Sequence, residues 1–162
     1  MASNLAAPRY WPTWFGVGVM WFVAQLPLRA QFGLGRAIGA IGYRFARGRR
    51  HIARTNIALC FPELDPGARE ALVRKTFTST GIGGVETAVA WFGDIGRFDG
   101  RVTFEGLETL TAAQRRGRGV MLIGAHFSTL DLAGALLSRA VDLDVIYRYN
   151  KNPVIEWAMR HG

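Results

Sequence analysis

The longest uncharged segment of the chain runs from Tyr10 to Leu28. Its roughly 19 residues would form a helix about 28 Å long, close to the hydrocarbon thickness of a bilayer. Aromatic residues at one end are typical of a membrane interface. We therefore predict a membrane-anchor helix over residues 10–28, which either spans the bilayer or lies in its interface. Its expected membrane-facing residues are Trp11, Trp14 and Trp21.

The segment after Leu28 is rich in arginine, and the chain as a whole has a formal net charge of +8. By the positive-inside rule, this flank is expected on the cytoplasmic side of the membrane. A basic chain with an apolar fraction of 49% and five tryptophans favours membrane phospholipid as its anionic partner over nucleic acid. No nucleic-acid partner is predicted.

The pattern of residues 30–60 predicts a basic amphipathic helical stretch. Gly33, Gly35 and Gly39 have the spacing GxGxxxG, but no strand precedes them, so a nucleotide-binding loop is not favoured. Close helix packing through small residues explains these glycines better. Further on, Asp65 and Pro66 have the pattern of a helix start, and the helix is expected to run to about Phe92, interrupted or softened near Gly81 to Gly84.

From residue 101 onward, apolar runs that suit strands alternate with helical patterns. This alternation predicts an α/β fold, in which the membrane-anchor helix and helical segment precede a mostly parallel sheet with helices on both faces. The predicted strands are Arg101–Phe104, Val120–Ile123 and Leu143–Tyr147. The predicted helices are 106–116, 129–140 and one that begins at Pro153.

His126 lies just past the end of the predicted strand Val120–Ile123, and Asp131 follows five residues later. Sites in parallel sheets form at the carboxyl ends of strands, and Arg148 follows the next predicted strand at the same edge. A histidine oriented by an acid can activate a hydroxyl for acyl transfer as a general base. The spacing alone is a weak motif, and its alternative interpretation is a core-edge histidine followed by a helix N-terminal aspartate.

Other residues bear less directly on function. Arg148, Asn150 and Asn152 are candidate substrate-binding residues, although a polar loop with a helix N-cap at Asn152 explains them equally well. The single cysteine, Cys60, excludes an intramolecular disulfide and is expected to be a small buried residue. No metal site is predicted, because the histidines and the cysteine lack zinc-ligand spacing. No cofactor is predicted.

Five stretches, spread along nearly the whole chain, resemble the lipid A late acyltransferases, the lauroyl/myristoyl acyltransferase family of Gram-negative bacteria. These are Arg9–Trp14, Arg54–Glu63, Gly84–Phe92, Gly124–Asp131 and Tyr147–Trp157. The resemblance implies an inner-membrane enzyme with its catalytic domain on the cytoplasmic side. Such an enzyme is an O-acyltransferase that depends on acyl carrier protein and moves a fatty acyl chain from that carrier to a hydroxyl of Kdo-lipid A, in lipopolysaccharide biosynthesis.

The resemblance also implies roles for the motif residues. His126 would be the general base and Asp131 would orient it, as in the HxxxxD motif of the wider glycerolipid acyltransferase superfamily. Because family members are longer than this chain, residues 29–162 are interpreted as the incomplete N-terminal part of the acyltransferase domain. Two alternatives stay open: another glycerolipid or glycolipid acyltransferase of the same superfamily, and an inactive membrane-associated fragment.

Overall fold

Residues 4–117 and 119–162, which the computed structural model describes, form seven α-helices joined by turns and irregular segments. The helices are α1 (Trp11–Gln25), α2 (Leu28–Phe45), α3 (Arg47–Cys60), α4 (Pro66–Phe92), α5 (Leu107–Arg115), α6 (Leu130–Leu137) and α7 (Pro153–His161). Short 3₁₀ turns cover Pro8–Tyr10 and Ile95–Phe98.

Helix α4 begins where the sequence predicts it. The Asp65 carboxylate accepts hydrogen bonds from the backbone N–H groups of Gly67 (2.8 Å) and Ala68 (3.1 Å), and Pro66 takes the first helical position. This N-cap satisfies donors that the first turn of a helix leaves free. The helix runs to Phe92 as predicted, but it continues through Gly81–Gly84 without the interruption expected there.

Helices α2 and α4 approach each other closely through glycines. A Cβ atom added to Gly81 would lie 2.2 Å from the carbonyl oxygen of Gly35, and one added to Gly39 would lie 2.5 Å from the carbonyl oxygen of Phe77. Any side chain at these positions would force the helices apart. The prediction of packing through small residues is therefore confirmed for Gly35 and Gly39, whereas Gly33 faces open space.

The core is arranged around α4, which contacts α1, α2, α3, α6 and α7. Val73, Val85, Ala88 and Val89 of α4 are buried. At one end of the fold, Val17 of α1 forms a cluster with Val154 and Ala158 of α7. Helix α4 is thus the element against which α1, α2, α3, α6 and α7 pack.

The predicted membrane-anchor helix over residues 10–28 is wrong as a single helix. Helix α1 ends at Gln25, Leu26 is extended with ψ 155°, and Pro27 precedes α2. A residue before proline is disfavoured in helical geometry, so the uncharged run is divided between two helices. Among the helices that the structure describes, none combines the length and the apolarity that crossing a bilayer requires.

The predicted α/β fold with a parallel sheet is also wrong, since the described residues contain helices and no strand. The two predicted strands Val120–Ile123 and Leu143–Tyr147, both within the described residues, form no backbone–backbone hydrogen bonds with each other. Both are open to solvent, since Ile123 is 90% exposed and Ile146 is 101% exposed. An apolar run becomes a strand only when a neighbouring strand pairs with its backbone, and periodicity does not reveal whether that neighbour is present. Cys60, expected to be buried, is exposed.

Candidate functional site

His126 and Asp131 lie on either side of the turn that leads into α6. The backbone N–H of Leu130 donates to the carbonyl of Phe127 (3.2 Å), which brings the chain into the helix, and Asp131 lies in its first turn. A carboxylate is favoured there, because the N-terminal end of a helix carries partial positive charge. Both residues are exposed.

The structure does not join the two motif side chains by a hydrogen bond. Instead, Oδ2 of Asp131 accepts a hydrogen bond of 2.9 Å from the hydroxyl of Thr87 in α4. The pairing of imidazole and carboxylate therefore stays a prediction. Thr87 is a residue that the sequence analysis did not single out, because 44 positions separate it from its partner and no local spacing connects them.

Helix α4 also contacts the middle of the motif. A Cβ atom added to Gly83 would lie 2.6 Å from Cβ and 2.7 Å from the carbonyl oxygen of Ser128. Gly83 lies one helical turn before Thr87, so both residues are on the same face of α4. This face supports the segment from His126 to Asp131 at two points.

A small apolar crevice of about 20 Å³ lies between α2, α4 and α6, beside the motif. Glu86 lines it, and burial raises the pKa of the Glu86 carboxyl. Its buried Oε2 atom has no hydrogen-bond partner among the described residues. The other lining residues are mostly apolar: Leu28, Gln31, Phe32, Ile82, Val85, Val89, Phe98 and Leu132.

The second group of predicted site residues forms the entrance to α7. The carboxamide oxygen of Asn152 accepts from the backbone N–H of Val154 (3.0 Å), so Asn152 is the N-cap of α7. Its amide nitrogen donates to the hydroxyl of Thr13 in α1 (3.0 Å). Asn150 accepts from the backbone N–H of Asn152, and Arg148 is exposed. The cap alternative for Asn152 is confirmed, and substrate binding by all three residues stays a prediction.

Comparison with known proteins covers the whole chain. The family model described as bacterial lipid A biosynthesis acyltransferase matches residues 1–162. The chain belongs to this family.

Among curated members of the family, a lipid A biosynthesis palmitoleoyltransferase of Escherichia coli is 41% identical over 96% of this chain and 51% of its own length. A lipid A biosynthesis lauroyltransferase of Escherichia coli is 39% identical over 99% of this chain and 53% of its own length. A lipid A biosynthesis acyltransferase of Haemophilus influenzae is 32% identical over 98% and 51%. The chain thus spans about half the length of these relatives. No solved structure matches it significantly.

The three tryptophans expected to face a membrane have two different environments in the structure. Trp11 and Trp21 are 64% and 56% exposed. Trp14 is half-buried, donates to the carbonyl of Leu5 (2.9 Å) and packs against Trp157 with ring centroids 5.1 Å apart. Trp11 and Trp21 are therefore available to an external partner, whereas Trp14 also contributes to internal packing.

Charged residues are distributed very unevenly along the chain. The first acidic residue is Glu63, and eight arginines precede it. The 12 basic and 12 acidic residues from Glu63 onward cancel, so the net charge of +8 comes from Arg9 and from the arginines of α2 and α3, which flank the uncharged α1. The same helices expose large apolar side chains: Trp11, Phe15, Val19, Trp21, Phe22, Phe32, Ile38, Ile41, Phe45, Ile52 and Leu59.

Proposed function

We propose that the complete protein transfers a fatty acyl chain from acyl carrier protein to a hydroxyl of a lipid A precursor. The observation that carries this proposal is the family match over all 162 residues, which includes an exposed His126 and Asp131 supported by α4. The names of the related transferases support acyl transfer to lipid A as the reaction class.

In this mechanism, His126 takes the proton of the acceptor hydroxyl as its oxygen attacks the carbonyl carbon of the donor thioester. The tetrahedral intermediate then collapses, the C–S bond breaks, and the thiolate of the carrier receives the proton from the imidazolium. Asp131 orients the imidazole and stabilises its charged form, as the acid of a triad does. No acyl-enzyme forms, so no serine or cysteine nucleophile is needed.

The test is an acylation assay with the complete gene product, an acyl carrier protein donor and a Kdo-lipid A acceptor. Replacing His126 by Ala should lower kcat by about 10²–10⁴, the range for a positioned general base. His161→Ala is the matched control, because His161 is an exposed histidine of α7, outside both the motif and the first three helices. Full activity of folded His126→Ala protein would contradict the mechanism, and transfer to glycerol phosphate alone would contradict the proposed acceptor.

We also propose that α1, α2 and α3 bind the surface of the inner membrane from its cytoplasmic side, where the acyl carrier protein donor would meet the lipid acceptor. The support is the combination of exposed aromatic and aliphatic side chains with eight arginines and no carboxylate before Glu63. Apolar side chains enter the interface while arginines contact phosphate groups, which is how helices bind a bilayer without crossing it.

Vesicle sedimentation tests this surface. Binding of the complete protein should increase with the fraction of anionic lipid and decrease with salt, because exposed charges are screened within about 8 Å at physiological ionic strength. Arg47→Gln with Arg49→Gln should weaken binding. Arg115→Gln with Arg116→Gln, which removes the same charge at the C-terminal end of α5, should not. Equal binding of the two double variants would contradict the proposed surface.

A further inference from the structure

Thr87 uses its hydroxyl differently from three other threonines of α4. The hydroxyls of Thr76, Thr78 and Thr80 donate to the backbone carbonyls four residues earlier, at 2.9–3.1 Å. This back-bonding is the usual arrangement for a threonine inside a helix. Thr87 instead donates to the Asp131 carboxylate, 44 residues away (2.9 Å). Its hydrogen bond is therefore tertiary, and it reaches one of the two motif residues.

The bond constrains a side chain that is otherwise free to move. Asp131 is exposed in the first turn of α6, where solvent alone would leave several rotamers populated. Thr87 holds Oδ2, while Oδ1 has no hydrogen-bond partner among the described residues. A carboxylate held through one oxygen still offers the other to an imidazole.

Gly83 adds a second constraint one helical turn away. Because it has no Cβ, the backbone of Ser128 comes against α4, and a Cβ there would meet the Ser128 carbonyl oxygen at 2.7 Å. The segment that joins His126 to Asp131 is therefore fixed both at its middle and at its carboxylate end.

We propose that Thr87 is a positioning residue for the acid–base pair, which fixes the Asp131 carboxylate so that its second oxygen can orient His126. This inference rests on the proposed acyl transfer. Thr87 does not touch the reacting atoms and acts only through Asp131. Ordering the carboxylate before the reaction removes a cost that would otherwise be added to the barrier.

The test compares Thr87→Val, Thr87→Ser and Thr80→Val in the complete protein. Valine keeps the β-branched shape and removes the hydroxyl, so Thr87→Val should lower kcat about 10-fold, as loss of an orienting partner does, with little change in KM. Thr87→Ser restores the donor and should recover most of the activity. Thr80→Val removes a hydroxyl from the same helix that bonds only to its own backbone, and it should leave kcat unchanged.

A double variant separates positioning from simple structural support. In an Asp131→Ala background, Thr87→Val should cause no further loss of kcat, because the carboxylate through which Thr87 acts is absent. An additional 10-fold loss there, or an unchanged kcat in Thr87→Val alone, would overturn the proposal. A wild-type protein that transfers no acyl chain would instead overturn the proposed function, and this role of Thr87 with it.

Discussion

Two regions of the molecule differ in how their conformation is fixed. In α2 and α4, glycines bring helix backbones into contact, and a Cβ at Gly81 would lie 2.2 Å from the Gly35 carbonyl oxygen. In the segment from residue 119 to 150, only α6 is regular, and it contacts α4 through few residues. The first region is held by close backbone packing between two helices. The second contacts α4 at Gly83 and Thr87 and is otherwise held by isolated contacts, such as the ion pair of Arg139 with Asp99, so single contacts should matter more for its geometry.

The largest expected effect is on the packed region. Gly81→Ala places a methyl group against the backbone of α2, which cannot move aside as a side chain would, and should lower the free energy of unfolding by about 3 kcal/mol. Gly33→Ala is the matched control, since nothing lies within 4 Å of its Cβ. It should be neutral or stabilising by up to about 1 kcal/mol, because alanine favours helix. Urea unfolding of the two variants measures the difference. Equal stabilities would show that close packing of α2 against α4 does not require glycine at position 81.

An intermediate effect is expected at the motif, where activity and not stability should respond. Gly83→Ala would push Ser128 away from α4 and displace the segment between His126 and Asp131, so kcat should fall about 10-fold. Gly84→Ala, at the next position with nothing within 4 Å, should keep the wild-type rate. Acylation assays on the complete protein decide this. A larger loss of stability in Gly83→Ala than in Gly81→Ala would show that the motif region is packed as tightly as α2 and α4.

The smallest expected effect concerns an ion pair at the edge of the packed region. The guanidinium of Arg54 contacts both oxygens of Glu70 (2.8 and 2.9 Å), and the hydroxyl of Tyr43 donates to the same carboxylate. These hydrogen bonds lower the pKa of Glu70 from 4.5 to about 2. Because the folded pKa is depressed, the stabilisation is present above pH 4.5 and is lost as the pH falls toward 2.

Glu70→Gln should therefore reduce stability at pH 7, and the difference from wild type should shrink between pH 4.5 and pH 2. The Arg54 and Glu70 side chains are 48% and 30% exposed, so solvent screening limits the effect to roughly 0.2–1 kcal/mol. Urea unfolding at several pH values measures it, with the exposed Glu63→Gln as control. A difference that stays constant down to pH 2 would show that the carboxylate charge is not responsible.

Much of the helical structure was predictable because its signals are local. Asp65 with Pro66, and Asn152 with Pro153, start α4 and α7 as N-caps followed by proline, and these arrangements depend on neighbouring residues alone. The membrane-anchor helix failed for a local reason too. Counting uncharged residues ignored the restriction that Pro27 places on Leu26. The sheet failed for a different reason, because strand pairing needs a neighbour that periodicity cannot supply.

The features of the candidate site also fall into those that local sequence predicts and those that depend on tertiary contacts. The amino-acid sequence by itself determined the helix starts, the concentration of positive charge before Glu63 and the spacing of His126 and Asp131, since each is a property of neighbouring residues or of composition. Only the tertiary structure decided that Gly35 and Gly39 meet α4, that Val120–Ile123 lies exposed, and that Thr87 holds Asp131. Each of these depends on which distant backbone lies within a few ångströms, and no local interaction along the chain encodes that distance.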